Sequence, residues 1–276
     1  MLKKIKKVLA KNEEFDLTGK RLFNNLRIEI NANCNRSCTF CPRTFDRNRK
    51  NNKAIMPTPA VLSIINQSLE MGFNGVVGFD FYNEPTLDER LFYFLDYCKG
   101  KGLDTIVITN GDLLRKNDAY TINLFNRATK ISLSLYDYED IKGRGILVSE
   151  WEKYLEKIGV AMEKVNFVGN YFTFGNRAGL IERNGIYNHK KELDEKLPLK
   201  AACKKFLVKL NVRYDGEVAM CCEDEWVQES LGNINKSSVS EIWYGERRIG
   251  IARSLALGKR GELVPCNKCV KGAIFV

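Results

Sequence analysis

Three cysteines fall within eight residues of the stretch EINANCNRSCTFCPR (residues 29–43): Cys34, Cys38 and Cys41, spaced C-x3-C-x2-C. Thiolates at that density can converge on a single centre, and soft sulfur ligands select zinc or iron-sulfur. A structural zinc site wants four protein ligands, usually from paired C-x-x-C knuckles. Here the local count stops at three. A cubane held by three thiolates would leave one iron open to an outside ligand.

Four more thiols close the chain. Cys203 is followed after twelve residues by Gly216, then after four residues by Cys221, and the pair Cys266 and Cys269 comes last. Two half-sites of this kind suit a four-thiolate zinc centre or a fully coordinated iron-sulfur cluster. Cys221 and Cys222 are neighbours, and neighbours on a strand face opposite sides, which poses a choice between them. Cys98 lies on the apolar stripe of a helix and reads as core. His189, the only histidine, sits in a polar stretch, which removes histidine-based triads and metal sites from consideration.

The elements that must carry these thiols alternate regularly. NLRIEINA has the period-two pattern of a strand. After the cysteine loop, Pro57 and Pro59 open a segment in which Val61, Ile64, Ile65 and Leu69 recur at helical spacing. The strand NGVVGFDF follows, then a helix marked by Leu91, Phe94, Leu95 and Cys98, and then the strand GLDTIVITNG. A helical stretch around Leu114 to Phe125 leads to the strand KISLSLYD. A helix bearing Trp151, Tyr154, Leu155, Ile158 and Met162 precedes KVNFVGNYFTFG. Alternation of this kind predicts parallel βα units, in a partial or complete barrel or an open sheet. Near residue 185 the chain turns polar and reads as a linker. Beyond it, CKKFLVKLNVRYDGEVAMCC reads as a hairpin turning at Asp215 and Gly216 in a type I′ turn.

The cysteine spacing after the first strand, with Phe40 just before the third thiol, resembles the radical S-adenosylmethionine (radical SAM) superfamily. The resemblance extends to FDFYNEPTLD, where that family carries a Gly-Gly-Glu-Pro type segment. Here Tyr82 and Asn83 stand in place of the usual glycines, and Glu84 is implied as the acceptor of the cosubstrate's ammonium group. Thr109 and Asn110 in ITNGD, and Ser134 in SLSLYD, are implied as ribose contacts. The tail is similar to the twitch form of the SPASM-type auxiliary-cluster domain. The resemblance implies an α/β fold, a partial (β/α)6 barrel with a small C-terminal α+β domain. Its division is residues 1–22, a basic extension; 23–184, the barrel; 185–200, a linker; and 201–276, the auxiliary domain.

The cofactors implied are two [4Fe-4S] clusters, on Cys34, Cys38 and Cys41 and on Cys203, Cys221, Cys266 and Cys269, together with S-adenosylmethionine. The activity implied is hydrogen abstraction by a 5′-deoxyadenosyl radical and oxidation of a sugar, aminocyclitol or nucleotide-linked alcohol, the auxiliary cluster taking the electron. Epimerisation, with Cys222 returning hydrogen, and modification of a ribosomally made peptide are the alternatives. Arg177 in GNRAG and Arg144 in KGRGI are candidates for a positive lining that would suit phosphorylated or nucleotide-linked substrates. An external donor such as flavodoxin or ferredoxin is the expected partner.

The 276 residues carry a net charge of +10, and residues 1–56 hold fourteen Lys or Arg against five Asp or Glu. The run CPRTFDRNRKNNK mixes basic and aromatic residues as nucleic-acid contacts do, but the same loop carries the thiols, so no nucleic-acid partner is expected. No apolar run approaches the roughly 20 residues of a membrane span, and the first residues lack a signal-peptide core. Nine cysteines in a cytoplasmic chain point to metal ligation or catalysis ahead of disulfides.

Overall fold

The computed structural model describes residues 20–38, 41–46, 53–136, 141–169, 202–203, 205–264 and 266–269. Its strands are β1 (Asn25–Ile28), β2 (Val76–Gly78), β3 (Asp104–Thr109), β4 (Lys130–Ser134), β5 (Val165–Val168), β6 (Lys209–Val212), β7 (Glu217–Ala219) and β8 (Ser230–Asn233). Its helices are α1 (Thr58–Glu70), α2 (Leu91–Gly100), α3 (Asp118–Arg127), α4 (Ile141–Lys157), the single turn α5 (Lys205–Val208), α6 (Val239–Trp243) and α7 (Glu246–Ala256). No helix among the described residues is long and apolar enough to cross a membrane.

One sheet of eight strands runs in the order β5-β4-β3-β2-β1-β6-β7-β8. Strands β1 to β5 are mutually parallel, each joined to the next through a helix, as the alternating pattern predicts. The expected barrel has six such units, of which the described residues contain five strands. The strand beside β1 on its other edge comes from the tail: β6 pairs with β1 in parallel, Leu26 opposite Leu210 and Ile28 opposite Val212. The cysteine-rich tail therefore grows out of the same sheet that positions the first thiol loop.

Ile131, Ser132, Leu133 and Ser134 are all buried in β4, as expected of a parallel strand covered on both faces. Local signals set the helices. Pro59 starts α1 where its missing N–H costs nothing. The Asn117 side chain caps α3 by accepting from the Tyr120 amide at 3.0 Å. Ser238 and Glu241 form a reciprocal capping box on α6.

Two expectations are corrected. The helix pattern through Met162 stops at Lys157, because Gly159 adopts φ +73° and the Val160 amide closes on the Leu155 carbonyl, a left-handed cap. The β6–β7 turn is not type I′, which requires positive φ at both central residues. Only Gly216 has it, at +88°, and Arg213 pairs with Glu217 across a three-residue loop, the type I turn with a bulge. Asp215 instead holds the Arg213 guanidinium.

The main core packs α1 to α4 onto the parallel strands and continues into the tail. Phe23 lies 5.1 Å from Phe73 and 4.9 Å, edge-on, from Trp243. The indole N–H of Trp243 donates to the Arg21 carbonyl at 3.0 Å. A second, smaller apolar cluster of Phe206, Leu207, Met220, Ile251, Ala252, Leu255 and Ala256 lies under the thiols of the tail, with Cys203 and Cys266 packed against it. Because Trp243 is 1 % exposed and fastens α6 to the main core, Trp243→Ala is expected to cost about 3–5 kcal/mol. Urea unfolding followed by circular dichroism measures that loss.

Candidate functional site

The first thiol loop leaves the C-terminal end of β1, where parallel α/β sheets place their ligand sites. Its shape is fixed by hydrogen bonds that return to its own start. Arg43, 8 % exposed, sends its guanidinium back to the Ala32 carbonyl from Nε at 3.3 Å and Nη2 at 3.2 Å. The Cys41 amide and the Thr44 hydroxyl both donate to the Cys38 carbonyl, at 3.0 and 2.9 Å. A loop closed in this way presents Cys34, Cys38 and Cys41 to one cleft, which they line with Asp80, Tyr82, Asn83, Glu84, Thr109, Asn110 and Ser134. The cleft encloses about 670 Å³, counting the solvent at its mouth.

Glu84 is the junction of this cleft. It is 3 % exposed, and its Oε1 accepts from the Thr86 amide at 3.2 Å and from the hydroxyls of Thr86 and Thr109 at 2.7 Å each. Its Oε2 accepts from the Asn110 amide at 2.8 Å. The Glu84 N–H in turn donates to the Asn33 carbonyl, one residue before Cys34, at 2.7 Å. Burial pushes the Glu84 carboxyl above its ordinary value, and the four donors pull the other way. Three of them converge on Oε1, and one reaches Oε2, which retains capacity for a further donor.

The loop after β3 clamps the thiol loop from the other side. Arg36 grips Asp112 with both Nε and Nη2, Asn35 donates to Asp112 at 2.8 Å, and Asn110 donates to Asn35 at 2.8 Å. The Arg36 guanidinium holds the Asp112 carboxyl below its ordinary value.

In the tail, Cys221 follows β7, and Cys203 precedes α5. The amide of Glu223 donates to the Cys221 sulfur at 3.2 Å, and the Cys222 thiol donates to the Glu223 carboxylate at 3.9 Å. Cys221 is held well above its ordinary value. The hydrogen bond with Cys222 is the first cause, then burial, then the negative charge of Cys222, Glu223 and Cys203. Acidic groups that raise one another in this way are relieved by a bound cation, which converts thiols to thiolates. Cys269 closes a turn on Cys266 through its amide at 3.1 Å. Among the described residues, no three His, Cys, Asp or Glu side chains form a group that could hold a metal ion. A cubane distributes its thiolates over separate irons, so its ligands need not meet at one ion.

The two regions touch. The Tyr82 hydroxyl, from the cleft, donates to the Cys222 carbonyl at 2.9 Å. Glu29 at the end of β1, completely buried, accepts from the Tyr82 amide at 3.0 Å and from the Tyr214 amide of the β6–β7 loop at 3.3 Å.

Of the residues singled out from sequence, Cys34, Cys38, Cys41, Tyr82, Asn83, Glu84, Thr109, Asn110 and Ser134 line one cleft. Thr109 and Asn110 spend their polar groups on Glu84 and the thiol loop. The Asn83 side chain closes its own turn, accepting from Phe81 N at 3.0 Å and donating to the Phe79 carbonyl at 3.2 Å. Arg144 is committed to the carbonyls of Gly169 at 3.0 Å and Phe167 at 3.3 Å, holding α4 to the end of β5. Cys98 is core, its thiol pushed to about 12 by burial. Phe40, Arg177 and His189 lie outside the described residues, as do the linker and residues 1–19 of the basic extension.

Sequence reasoning passed over Glu29, Arg36, Arg43 and Asp112. Asp112 lies two residues after Asn110 in the ITNGD segment that drew notice, and that adjacency was the available signal. Because Asp112 is depressed below 3.8, its pair with Arg36 contributes stability above the unfolded-state value and loses it as pH falls through the lower folded value. The stability gap between the parent and Asp112→Asn is therefore expected to persist from neutral pH to about pH 4 and to shrink below it, measured by urea unfolding across that range.

Residues 203–270 match the SPASM family, described as an iron-sulfur cluster-binding domain. The S-adenosyl-L-methionine-dependent 2-deoxy-scyllo-inosamine dehydrogenase of Niallia circulans is 25 % identical over 258 residues, 90 % of this chain and 93 % of that protein. The crystal structure of BtrN in complex with AdoMet and 2-DOIA superposes with a TM-score of 0.68 at 24 % identity, over 92 % of this chain and 96 % of that one. Native anSMEcpe with bound AdoMet superposes at 0.52 and 17 % identity, over 83 % of this chain and 82 % of that one. With its thiol loop at the end of β1, the chain shares the fold of these S-adenosylmethionine-bound structures, and its tail matches the SPASM iron-sulfur cluster-binding domain.

Proposed function

We propose that this chain oxidises a small-molecule alcohol of the sugar, aminocyclitol or nucleotide-linked class, with the thiol-rich tail serving as electron sink. The observation that carries the reading is the contact between the two thiol regions, where Tyr82 of the cleft meets the Cys222 carbonyl beside Cys221. Conversion of an alcohol to a ketone removes one hydrogen atom, one proton and one further electron from the substrate, and the last needs an acceptor close to the cleft. The Niallia circulans relative is a dehydrogenase of 2-deoxy-scyllo-inosamine, which supports the aminocyclitol class.

Cys34, Cys38 and Cys41 would hold one [4Fe-4S] cluster and Cys203, Cys221, Cys266 and Cys269 a second, supplying reductive cleavage of S-adenosylmethionine to a 5′-deoxyadenosyl radical and an electron acceptor, respectively. Glu84 receives the cosubstrate's ammonium group on Oε2, and Thr86, Thr109 and the Asn110 amide keep that carboxylate aimed. Tyr82, Asn83 and Ser134 form the polar wall around it. Phe40 is assigned to the cosubstrate and Arg177 to a phosphorylated or otherwise anionic substrate. The reading places the protein in the reducing cytoplasm with flavodoxin or ferredoxin as donor, with no role for nucleic acid. Cys222 favours a second reading: a thiol beside Cys221 that returns a hydrogen atom would make the product an epimer.

Anaerobic turnover decides between them. Oxidation gives a product two hydrogens lighter. Epimerisation keeps the mass and, in heavy water, leaves one deuterium on carbon. Glu84→Gln is expected to weaken S-adenosylmethionine binding roughly 10- to 100-fold, since a hydrogen bond to a charged group contributes about 1.5–3 kcal/mol; equilibrium dialysis on the reconstituted protein measures it. The Glu84 carboxyl is raised above 4.5, and its charged form is the one that holds a cation. Cosubstrate affinity in the parent should therefore fall on acidification while the pH is still above 4.5, and Glu84→Gln should flatten that profile.

A further inference from the structure

We propose that Arg260 is a positioning residue for the second thiol set: its guanidinium fixes the Cys203 backbone against the loop that carries Cys266 and Cys269 and brings a positive charge to the peptide that precedes Cys203. The inference rests on the reading of the tail as an iron-sulfur site and adds a residue that is not itself a ligand.

Arginine is almost never fully buried without a reason, yet Arg260 is 2 % exposed. It lies on a 3₁₀ turn (Arg260–Glu262), and its Nη2 donates to the Ala202 carbonyl at 3.2 Å, 58 residues earlier in the chain. Ala202 immediately precedes Cys203, and the Cys203 amide donates to the Leu255 carbonyl, at the end of α7, at 3.1 Å. The carbonyl and the N–H of one peptide unit are therefore both held, one by Arg260 and one by α7. A peptide plane pinned at both ends cannot rotate, so the Cα of Cys203 is fixed in place.

The same arginine is tied to the other ligands through its own backbone. The Leu263 amide donates to the Arg260 carbonyl at 3.2 Å, the Asn267 amide to the Leu263 carbonyl at 2.7 Å, and the Cys269 amide to the Cys266 carbonyl at 3.1 Å. Leu263, Cys203 and Cys266 pack on the same small apolar cluster. Arg260 thus joins two segments that carry three of the four thiols. The other fully buried arginine of the tail, Arg248, has a different setting, stacked 3.5 Å over the Trp243 ring and 5.3 Å from that of Phe206.

The charge has a consequence of its own. Four thiolates give a centre a strongly negative surround, and a guanidinium stays protonated at any working pH. Net charge and hydrogen bonding set cluster potentials, so a buried cation beside Cys203 makes the centre a better electron acceptor.

The test uses the full chain with Cys34, Cys38 and Cys41 changed to Ala, so that only the tail contributes iron, reconstituted anaerobically and titrated by electron paramagnetic resonance. In that background Arg260→Gln is expected to hold less than half of the background protein's iron, and the centre that remains should show about tenfold lower electron affinity, a shift of about 59 mV for one electron. Arg260→Lys, which keeps the charge, should stay within about twofold of the background midpoint and hold an intermediate amount of iron. The proposal is overturned if Arg260→Gln matches the background protein in both iron and midpoint, or if Arg260→Lys loses as much electron affinity as Arg260→Gln. Should Arg260→Gln not fold, Arg260→Lys decides: unchanged iron with unchanged hydrogen-exchange protection of the Cys203 amide overturns the role, and loss of either supports it. A background protein that binds no iron overturns the iron-sulfur reading of the tail and is thereby distinguishable.

Discussion

The carboxylate of Glu84 is where the architecture of the cleft converges. Removing such a charge from water is costly unless donors replace the lost solvent, and Glu84 collects four of them, from its own turn and from the end of β3. Its backbone N–H reaches the residue before Cys34. Three loops from three successive strands are thereby held by one residue, its side chain joining two of them and its backbone N–H the thiol loop. The carboxyl is nonetheless raised, so hydrogen bonding has not fully offset burial. A cation arriving at Oε2 would supply the missing stabilisation.

A second constraint is the parallel pairing of β1 with β6. Placing a tail strand beside the strand that launches the first thiol loop brings the tail alongside that loop. Glu29 and Tyr82 exploit that proximity. One accepts amides from both regions, and the other spans from the cleft to the Cys222 carbonyl. Trp243 secures the arrangement from the opposite end by packing into the main core. The tail thus runs alongside the cleft, and this follows from strand order before any side chain is considered.

The tail has a small apolar cluster and, for its size, a large share of buried charge: Glu223, Asp224, Glu225, Arg248 and Arg260. So small a core supports little structure alone. Continuity with the sheet and bonds such as that of Arg260 to Ala202 hold the ligand-bearing segments in place.

Much of this protein was legible from residue order. The thiol spacings marked two cysteine-rich regions, the βα periodicity marked the parallel strands, and six polar residues chosen at strand ends line one cleft, because chemistry concentrated in short segments leaves a local signature. Long-range partnership leaves none. In NLRIEINA the alternating pattern puts Glu29 on the polar side of a strand, which reads as solvent-facing; it is buried because tail and barrel loops cover that face as well. The same holds for Arg36 with Asp112, Arg43 with Ala32 and Arg260 with Ala202. Each links residues that only the assembled sheet brings together. Even the Asp-Gly turn was settled by its surroundings, since Asp215 is drawn to Arg213 and only Gly216 takes the left-handed position. The amino-acid order by itself determined which groups could do chemistry; tertiary structure decided which of them meet, because hydrogen bonds between distant loops depend on strand order and burial, which no local pattern encodes.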